Sequence, residues 1–178
     1  NLFKIKIPIS KKDFFSKNLK NLIFFFKKFN VRLDFIKEGN LLLLRNTSSS
    51  TDPMKLLQLR HVAFLISKGV PLKIAIKILT SHYTFFITRV PKNVQLIYKN
   101  SSKSSEYLKS WNILIQYLEN ITNTFIIKYG KTISIIGKTK DVDTVAKKIR
   151  MMLFRDPKTT KNKLNLFEIT YKKRLNKN

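Results

Sequence analysis

The order of predicted secondary-structure elements occurs twice along the chain, and this repeat limits the possible folds more than any other feature. Each copy has a strand, a helical segment, two strands joined by a Gly-containing turn, a polar loop, an Asp and a closing helix. The hairpin and closing helix occupy Asn30–Gly69 in the first copy and Asn123–Asp156 in the second. Such a repeat indicates two similar units. Each unit is predicted to be a small sheet covered on one face by helices, which is an α+β fold.

Hydrophobic periodicity defines the elements of the first copy. Apolar residues alternate with lysines over Phe3–Ile9, which predicts a half-buried strand. From Asp13 to about Asn30 they recur at three- and four-residue steps, which predicts an amphipathic helix rich in phenylalanine. Its phenylalanines either pack in the core or form an exposed patch for a partner. Asp52 followed by Pro53 is typical of a helix start.

The second copy begins with a predicted strand, Tyr83–Val90, and a helix over about 106–120. A hairpin with Gly130 in its turn follows. The closing helix, 141–154, is predicted from an apolar stripe at helical spacing, formed by Val142, Val145, Ile149 and Leu153. These elements divide the chain into a first unit, a second unit and a basic C-terminal tail, which are residues 1–79, 80–157 and 158–178.

The balance of charges points to a polyanionic partner. Among the 178 residues, 36 are Lys or Arg and 10 are Asp or Glu, which gives a net charge of +26. Because 43% of the residues are hydrophobic, the chain can bury a core, and the charge belongs to a folded protein rather than to a disordered basic tail. Nucleic acid is the partner that this charge predicts.

Other function classes find little support in the sequence. There is no cysteine, and the two histidines, His61 and His82, have no carboxylate or serine nearby at a catalytic spacing. The close acidic pair Asp141 and Asp143 stands at a predicted helix start, where capping explains it. We therefore expect no enzyme activity, no metal, no cofactor and no small-molecule substrate. The apolar runs are far shorter than a membrane span, and we expect a soluble intracellular protein.

The repeat, in a basic chain, has the layout of tandem KH domains, which hold about four nucleotides of single-stranded RNA with the help of a GxxG loop. Over most of its length the chain resembles eukaryotic tandem-KH assembly factors of the small ribosomal subunit. These are the KRR-motif processome protein and its relative, the partner of the Nob endonuclease. The resemblance rests on Val31–Leu79 and Leu118–Gly137. The spacing between Leu79 and Thr122 favours the KRR-motif member, whereas the opening Ile5–Pro8 is more similar to the Nob partner.

The resemblance implies an RNA-binding factor in small-subunit pre-rRNA processing and assembly, as a component of the processome. Its implied partners are pre-ribosomal RNA and other assembly factors, and its implied location is the nucleolus. The A/T-rich codon usage behind this composition suggests the reduced nucleus of an endosymbiont or a parasite. Two alternatives stay open: the Nob partner of late maturation and an organellar ribosomal protein. A peripheral membrane-surface protein that uses its lysines on anionic lipid is disfavoured, because the basic amphipathic segments alternate with strands instead of forming one long interfacial helix, and we expect no membrane partner. The chain begins with Asn1 rather than Met, which leaves the natural N-terminus open.

The sequence departs from this family at the loop that binds phosphate. The GxxG loop would fall at Lys109–Asn112, and no two of the four glycines have that spacing, so RNA contact would rely on side chains. Trp111 either stacks on an unpaired base or fills the core, and the lysines of the second hairpin either bind phosphate or are ordinary surface residues. The candidate RNA-binding residues are Lys103, Lys109, Trp111, Asn112, Lys128 and Lys131.

Overall fold

A computed structural model describes residues 2–47, 52–80, 82–91 and 104–153, with the backbone alone at Lys11 and over 104–110. The chain divides into two compact units, Asn1–Tyr83 together with Ile127–Tyr129, and Thr84–Ile126 together with the residues from Gly130 onward. The predicted basic tail, 158–178, lies outside the described residues. In chain order the elements are β1 (Leu2–Lys6), a 3₁₀ turn (Ile9–Lys11), α1 (Lys12–Lys27), β2 (Val31–Ile36), β3 (Leu41–Asn46), α2 (Pro53–Ser67), α3 (Leu72–Ala75) with a 3₁₀ turn (Ile76–Leu79), β4 (Tyr83–Arg89), α4 (Ser104–Thr122), β5 (Phe125–Tyr129), β6 (Thr132–Lys138) and α5 (Thr139–Leu153).

The first unit contains a three-stranded sheet in the order β1–β3–β2, and both pairs are antiparallel. Ile5 lies opposite Leu42, and Leu33 lies opposite Leu44; all four side chains are buried. Since neighbouring side chains in a strand point to opposite faces, the exposed Lys4 lies on the other face of the sheet. The predicted alternation of apolar and basic residues is confirmed within β1, where it gives the sheet one face for the core. The predicted strand is too long at its C-terminal end, because Ile9 lies in the 3₁₀ turn and is 80% exposed.

Helix α1 lies against β2 and buries Phe15, Leu22 and Phe26. These residues follow the three- and four-residue spacing of a helix face that packs on a sheet. The same helix exposes 43% of Ile23 and 66% of Phe24. Core packing is therefore confirmed for one face of the helix, whereas the patch for a partner stays a prediction for the exposed face.

Helix α2 begins where the sequence predicts. The Oδ1 atom of Asp52 accepts a hydrogen bond from the backbone N–H of Met54 at 2.9 Å, and Pro53 is the first helical residue. A capping side chain of this kind stabilises a helix by about 1 kcal/mol. The helix lies against β1 and buries most of its apolar residues.

The second unit repeats this arrangement with the strand order β4–β6–β5. Because β5 and β6 are joined by the tight turn at Gly130, they are antiparallel neighbours. The predicted apolar stripe of α5 is confirmed, since its four residues are buried in one core with side chains of α4 and β6. That core is formed by Val90, Trp111, Leu114, Leu118, Ile126, Ile133, Ile135, Val142, Val145, Ala146, Ile149 and Leu153.

Two asparagines with left-handed backbone conformation occupy equivalent positions in the repeat. Asn30 follows α1 with φ 55°, and Asn123 follows α4 with φ 50°. Asparagine tolerates this conformation better than most residues, and it is favoured just beyond a helix end. In both units the chain turns at this residue from the helix into an edge strand. This equivalence allows the edge strands β2 and β5 to be compared residue by residue.

We predict that Gly137 is required for close packing between β6 and the residue before β5. A Cβ atom at Gly137 would lie 2.8 Å from Cγ2 and 3.3 Å from Cβ of the buried Thr124. Overpacking of this kind costs about 1–3 kcal/mol, so Gly137→Ala should lower the free energy of unfolding by that amount in urea denaturation. Gly39→Ala is the matched control, because its nearest neighbour would be Leu41 Cβ at 3.8 Å.

The clash is tested directly by a second substitution. Thr124→Ser removes Cγ2 but retains the hydroxyl, which lies 2.9 Å from the Thr122 hydroxyl. The double variant with Gly137→Ala should be more stable than the sum of the two single effects. Strict additivity would contradict the proposed contact.

Candidate nucleic-acid interface

The backbone is helical where the resemblance predicts a phosphate-binding loop. Helix α4 continues from Ser104 to Thr122, so Lys109–Asn112 is part of a helix and not a loop. Trp111 is 1% exposed and belongs to the core of the second unit. Its ring is therefore not accessible to a base. Of the two interpretations of Trp111, the structure supports the core position.

The other candidate residues lie on different elements, and Lys128 belongs with the first unit whereas Asn112 and Lys131 belong with the second. Asn112 is exposed on α4, and Lys131 is exposed in the β5–β6 turn. Lys128 on β5 is half-buried, and this burial lowers the pKa of its ammonium group. The side chain of Lys109 is not described, and Lys103 lies outside the described residues. None of the described candidates lines the groove of the first unit.

The edge strand of the second unit is bonded to its own helix. The backbone N–H of Ile126 donates to Oε1 of Glu119 at 2.7 Å. Counted from the equivalent residues Asn30 and Asn123, Ile126 corresponds to Leu33 of the first unit. A carboxylate thus occupies one backbone donor of this edge, and its charge disfavours the approach of a phosphate chain.

The first unit has a groove of about 520 Å³ between the C-terminal part of α1 and the edge strand β2. Its apolar part includes Ile23 and Leu33, and its charged side chains are Lys27, Arg32 and Asp34. The complete lining is Ile23, Lys27, Asn30, Val31, Arg32, Leu33, Asp34 and Thr47. This composition suits a ligand that has flat apolar surfaces and negative charge.

Backbone groups of β2 also point towards this groove. Thr47 donates to the carbonyl of Asn30 both from its backbone N–H, at 2.9 Å, and from its hydroxyl, at 2.7 Å. Asn30 and Thr47 therefore extend the ladder as a hydrogen-bonded pair, and hydrogen-bonded pairs alternate with non-hydrogen-bonded ones in antiparallel sheets. Val31 and Leu33 belong to the non-hydrogen-bonded pairs of this ladder. Their N–H and C=O groups therefore point away from β3, towards the outer edge of β2.

An exposed ion pair borders the groove. Arg32 Nε donates to Asp34 Oδ1 at 3.0 Å, and the two side chains are 69% and 32% exposed. A pair this exposed stabilises the protein by at most about 1 kcal/mol, so Arg32 can exchange Asp34 for an anionic ligand at little cost. Lys27 is exposed on the helix side of the groove. The groove therefore offers two cations and only one carboxylate.

Lys27, Arg32 and Leu33 are not among the residues predicted from the sequence, because the resemblance implied the GxxG position of the second unit. The sequence contains a usable signal, since Asn30 ends the predicted helix just before a predicted strand that carries Arg32. The strand order shows that β2 is an edge strand, and a groove lies beside it. Hydrophobic periodicity cannot predict strand order, so neither feature could be predicted from the sequence.

Within the described ranges, no helix is long and apolar enough to cross a membrane. The same residues contain no group of three His, Cys, Asp or Glu side chains that could hold a metal ion. His61, on α2, is partly buried, and burial together with the nearby Arg60 lowers the pKa of its imidazole.

Solved structures of archaeal proteins share this arrangement. The chain shares the fold of Dim2p from Pyrococcus horikoshii, with a TM-score of 0.63 and 18% identity over 93% of this chain and 98% of that one. The fold is KH-like. A chain of the a/eIF2alpha–aDim2p–rRNA complex from the same organism matches with a TM-score of 0.64 and 15% identity, covering 96% of this chain and 95% of that one. A protein of unknown function from Aeropyrum pernix matches with a TM-score of 0.67 and 15% identity, covering 99% of this chain and 96% of that one.

One sequence relative has a KH name. A KH domain-containing protein of Methanocaldococcus jannaschii is 24% identical over 132 residues, which are 71% of this chain and 56% of that protein. The chain thus spans about half the length of that relative. No family model matches the chain. None of these relatives carries the KRR-motif name, so the preference for that member of the family has no support from them.

We predict that the fluorescence of Trp111 reports a core position. It is the only tryptophan in the chain, so the emission of the protein comes from this ring. Because the ring is buried, the emission maximum should be blue-shifted, acrylamide should quench it weakly, and added RNA should leave it unchanged. Trp111→Ala should lower the free energy of unfolding by about 3–5 kcal/mol. A solvent-like emission that RNA quenches would contradict the core position.

Proposed function

We propose that this chain is a non-enzymatic RNA-binding factor that acts in processing and assembly of the small ribosomal subunit. The proposal is carried by the groove beside β2, where Lys27 and Arg32 flank an apolar surface and an edge of backbone donors and acceptors. The net charge of +26 supports a polyanionic ligand. The KH-like fold supports single-stranded RNA as that ligand, and rRNA is named in the complex that contains a similar chain.

The proposed mechanism is binding and positioning. Single-stranded RNA lies along β2, and base edges bond to the backbone groups of Val31 and Leu33. Lys27 and Arg32 neutralise phosphates, a role that glycine amides have in a GxxG loop. Because side-chain cations contribute much of the affinity, binding should weaken steeply as the salt concentration rises.

The stage of assembly and the location in the cell are parts of the same proposal. The spacing between Leu79 and Thr122 supports the KRR-motif member of the nucleolar processome, with other assembly factors as protein partners. The similarity to Dim2p supports a processing factor without favouring that member. The Nob partner and an organellar ribosomal protein stay as alternatives.

Sedimentation of a tagged copy on a sucrose gradient separates these alternatives. We expect the protein to comigrate with precursor small-subunit RNA and to be absent from translating ribosomes, because an assembly factor leaves before translation. The species of precursor RNA in those fractions then distinguishes an early from a late stage. Persistence in mature ribosomes would instead identify a ribosomal protein, and migration free of RNA would contradict the proposal.

Charge substitutions in the groove test the site itself. Arg32→Gln should weaken binding to single-stranded rRNA fragments several-fold and reduce the slope of log K against log salt by about 0.7, the value for one phosphate contact. Asp34→Asn should strengthen binding, because it removes the carboxylate and releases Arg32. Fluorescence anisotropy at several salt concentrations measures both effects.

The matched controls lie on the exposed face of α5 in the second unit. Lys148→Gln and Asp143→Asn make the same kinds of charge change at exposed positions outside the groove. They should alter affinity less than the groove variants. Equal effects at both places would show that the RNA responds to net charge alone and would overturn the assignment of the groove.

A further inference from the structure

The outward face of α1 carries an exposed aromatic ring among lysines. Phe24 is 66% exposed, although a phenylalanine at the surface of a soluble protein is usually covered. Lys20 and Lys27 are four and three residues away, and these spacings place them on the same helix face as Phe24. Lys28 follows the last residue of the helix, and its ammonium lies over the Phe24 ring. The one acidic residue of α1, Asp13, lies at the other end of the helix. We call Lys20, Phe24, Lys27 and Lys28 the basic-aromatic patch.

Phe24 has different surroundings from the other phenylalanines near the end of α1. Phe25 packs edge-on against Phe26 and Phe29, with ring centroids 5.9 Å and 5.2 Å apart. Phe24 instead has the Lys28 ammonium 4.9 Å from its ring centroid. This contact places a cation beside an exposed π surface, a combination that matches a nucleotide, which carries a phosphate and a flat base on the same unit.

The patch is continuous with the groove beside β2. Lys27 belongs to both, and Ile23, which precedes Phe24, lines the groove and is 43% exposed. A strand of RNA that leaves the groove on the α1 side therefore meets Lys27 and then Phe24. The patch has cations and no carboxylate, which favours a polyanion over a neutral or basic protein.

We propose that the basic-aromatic patch binds the continuation of the single-stranded RNA and that one unpaired base stacks on Phe24. The inference rests on the proposed function, since it extends the same RNA beyond the groove. Stacking of this kind needs no sequence preference, because every base has a flat face. The patch would thus lengthen the binding site rather than select its sequence.

RNAs of two lengths test this inference. A four-nucleotide RNA suffices for the groove, and a ten-nucleotide RNA reaches the patch. Phe24→Ala should weaken binding of the longer RNA about five- to hundredfold, the range for loss of one stacked base, and should hardly affect the shorter one. Phe24→Ala should leave the slope of log K against log salt unchanged, because no charge is removed. Lys28→Gln removes a charge and should reduce that slope. Met151→Ala, which shortens a 52% exposed apolar side chain on α5, is the control.

Phe24→Trp gives a direct signal. The ten-nucleotide RNA should quench the fluorescence of this surface tryptophan. The unsubstituted protein, whose fluorescence comes from Trp111, gives the background. A duplex of the same length should produce less quenching, since its bases are already stacked.

The outcomes separate this inference from the function on which it rests. If the unsubstituted protein binds neither RNA, the proposed function fails. If it binds both and Phe24→Ala changes nothing, the stacking inference is overturned while the groove assignment stands. If Phe24→Ala binds RNA normally but no longer associates with precursor particles, the patch contacts a protein, and the inference is overturned in that case as well.

Discussion

The first unit depends on the central strand β3. Its Leu42 and Leu44 side chains are fully buried on the face towards the helices. This requirement fixes which residues of β1 and β2 lie opposite, because a shift of one residue would turn every apolar side chain to the exposed face. Once β3 is paired on both sides, β2 is an edge strand with N–H and C=O groups that β3 cannot use. The groove beside α1 is therefore a consequence of how the core is paired.

The two units share the same strand order, but their edge strands present different groups to a ligand. In the first unit, the edge of β2 borders a groove with Lys27 and Arg32. In the second, the equivalent amide of Ile126 is bonded to Glu119, and the helix runs through the position of the phosphate loop. A repeat of the fold is thus not a repeat of the site. For a tandem protein, the unit that binds must be identified from its edge strand and not from the layout alone.

Much of the architecture was predictable because it depends on local patterns. The alternation in β1, the stripe of α5 and the cap at Asp52 each reflect a physical requirement that acts over a few residues. Periodicity also predicted the helix over about 106–120, and α4 confirms it at the position where the resemblance implied a phosphate-binding loop. A short segment such as Lys109–Asn112 has no glycine or proline that would stop a helix, and Trp111 gains more from burial in the core than from exposure. The resemblance suggested a loop at this position, but local propensity and packing favour a helix.

The α+β class, the internal repeat and the excess of positive charge follow from the amino-acid order, because periodicity, turn residues and composition are local properties of the chain. Folding was needed to establish which strands are edges, which phenylalanines of α1 are buried, and which lysines adjoin a groove. Phe24 and Phe26 illustrate the limit, because they are two residues apart with the same side chain but are 66% and 0% exposed. Their difference comes from the rotation of the helix against β2, which is set by contacts between residues distant in sequence.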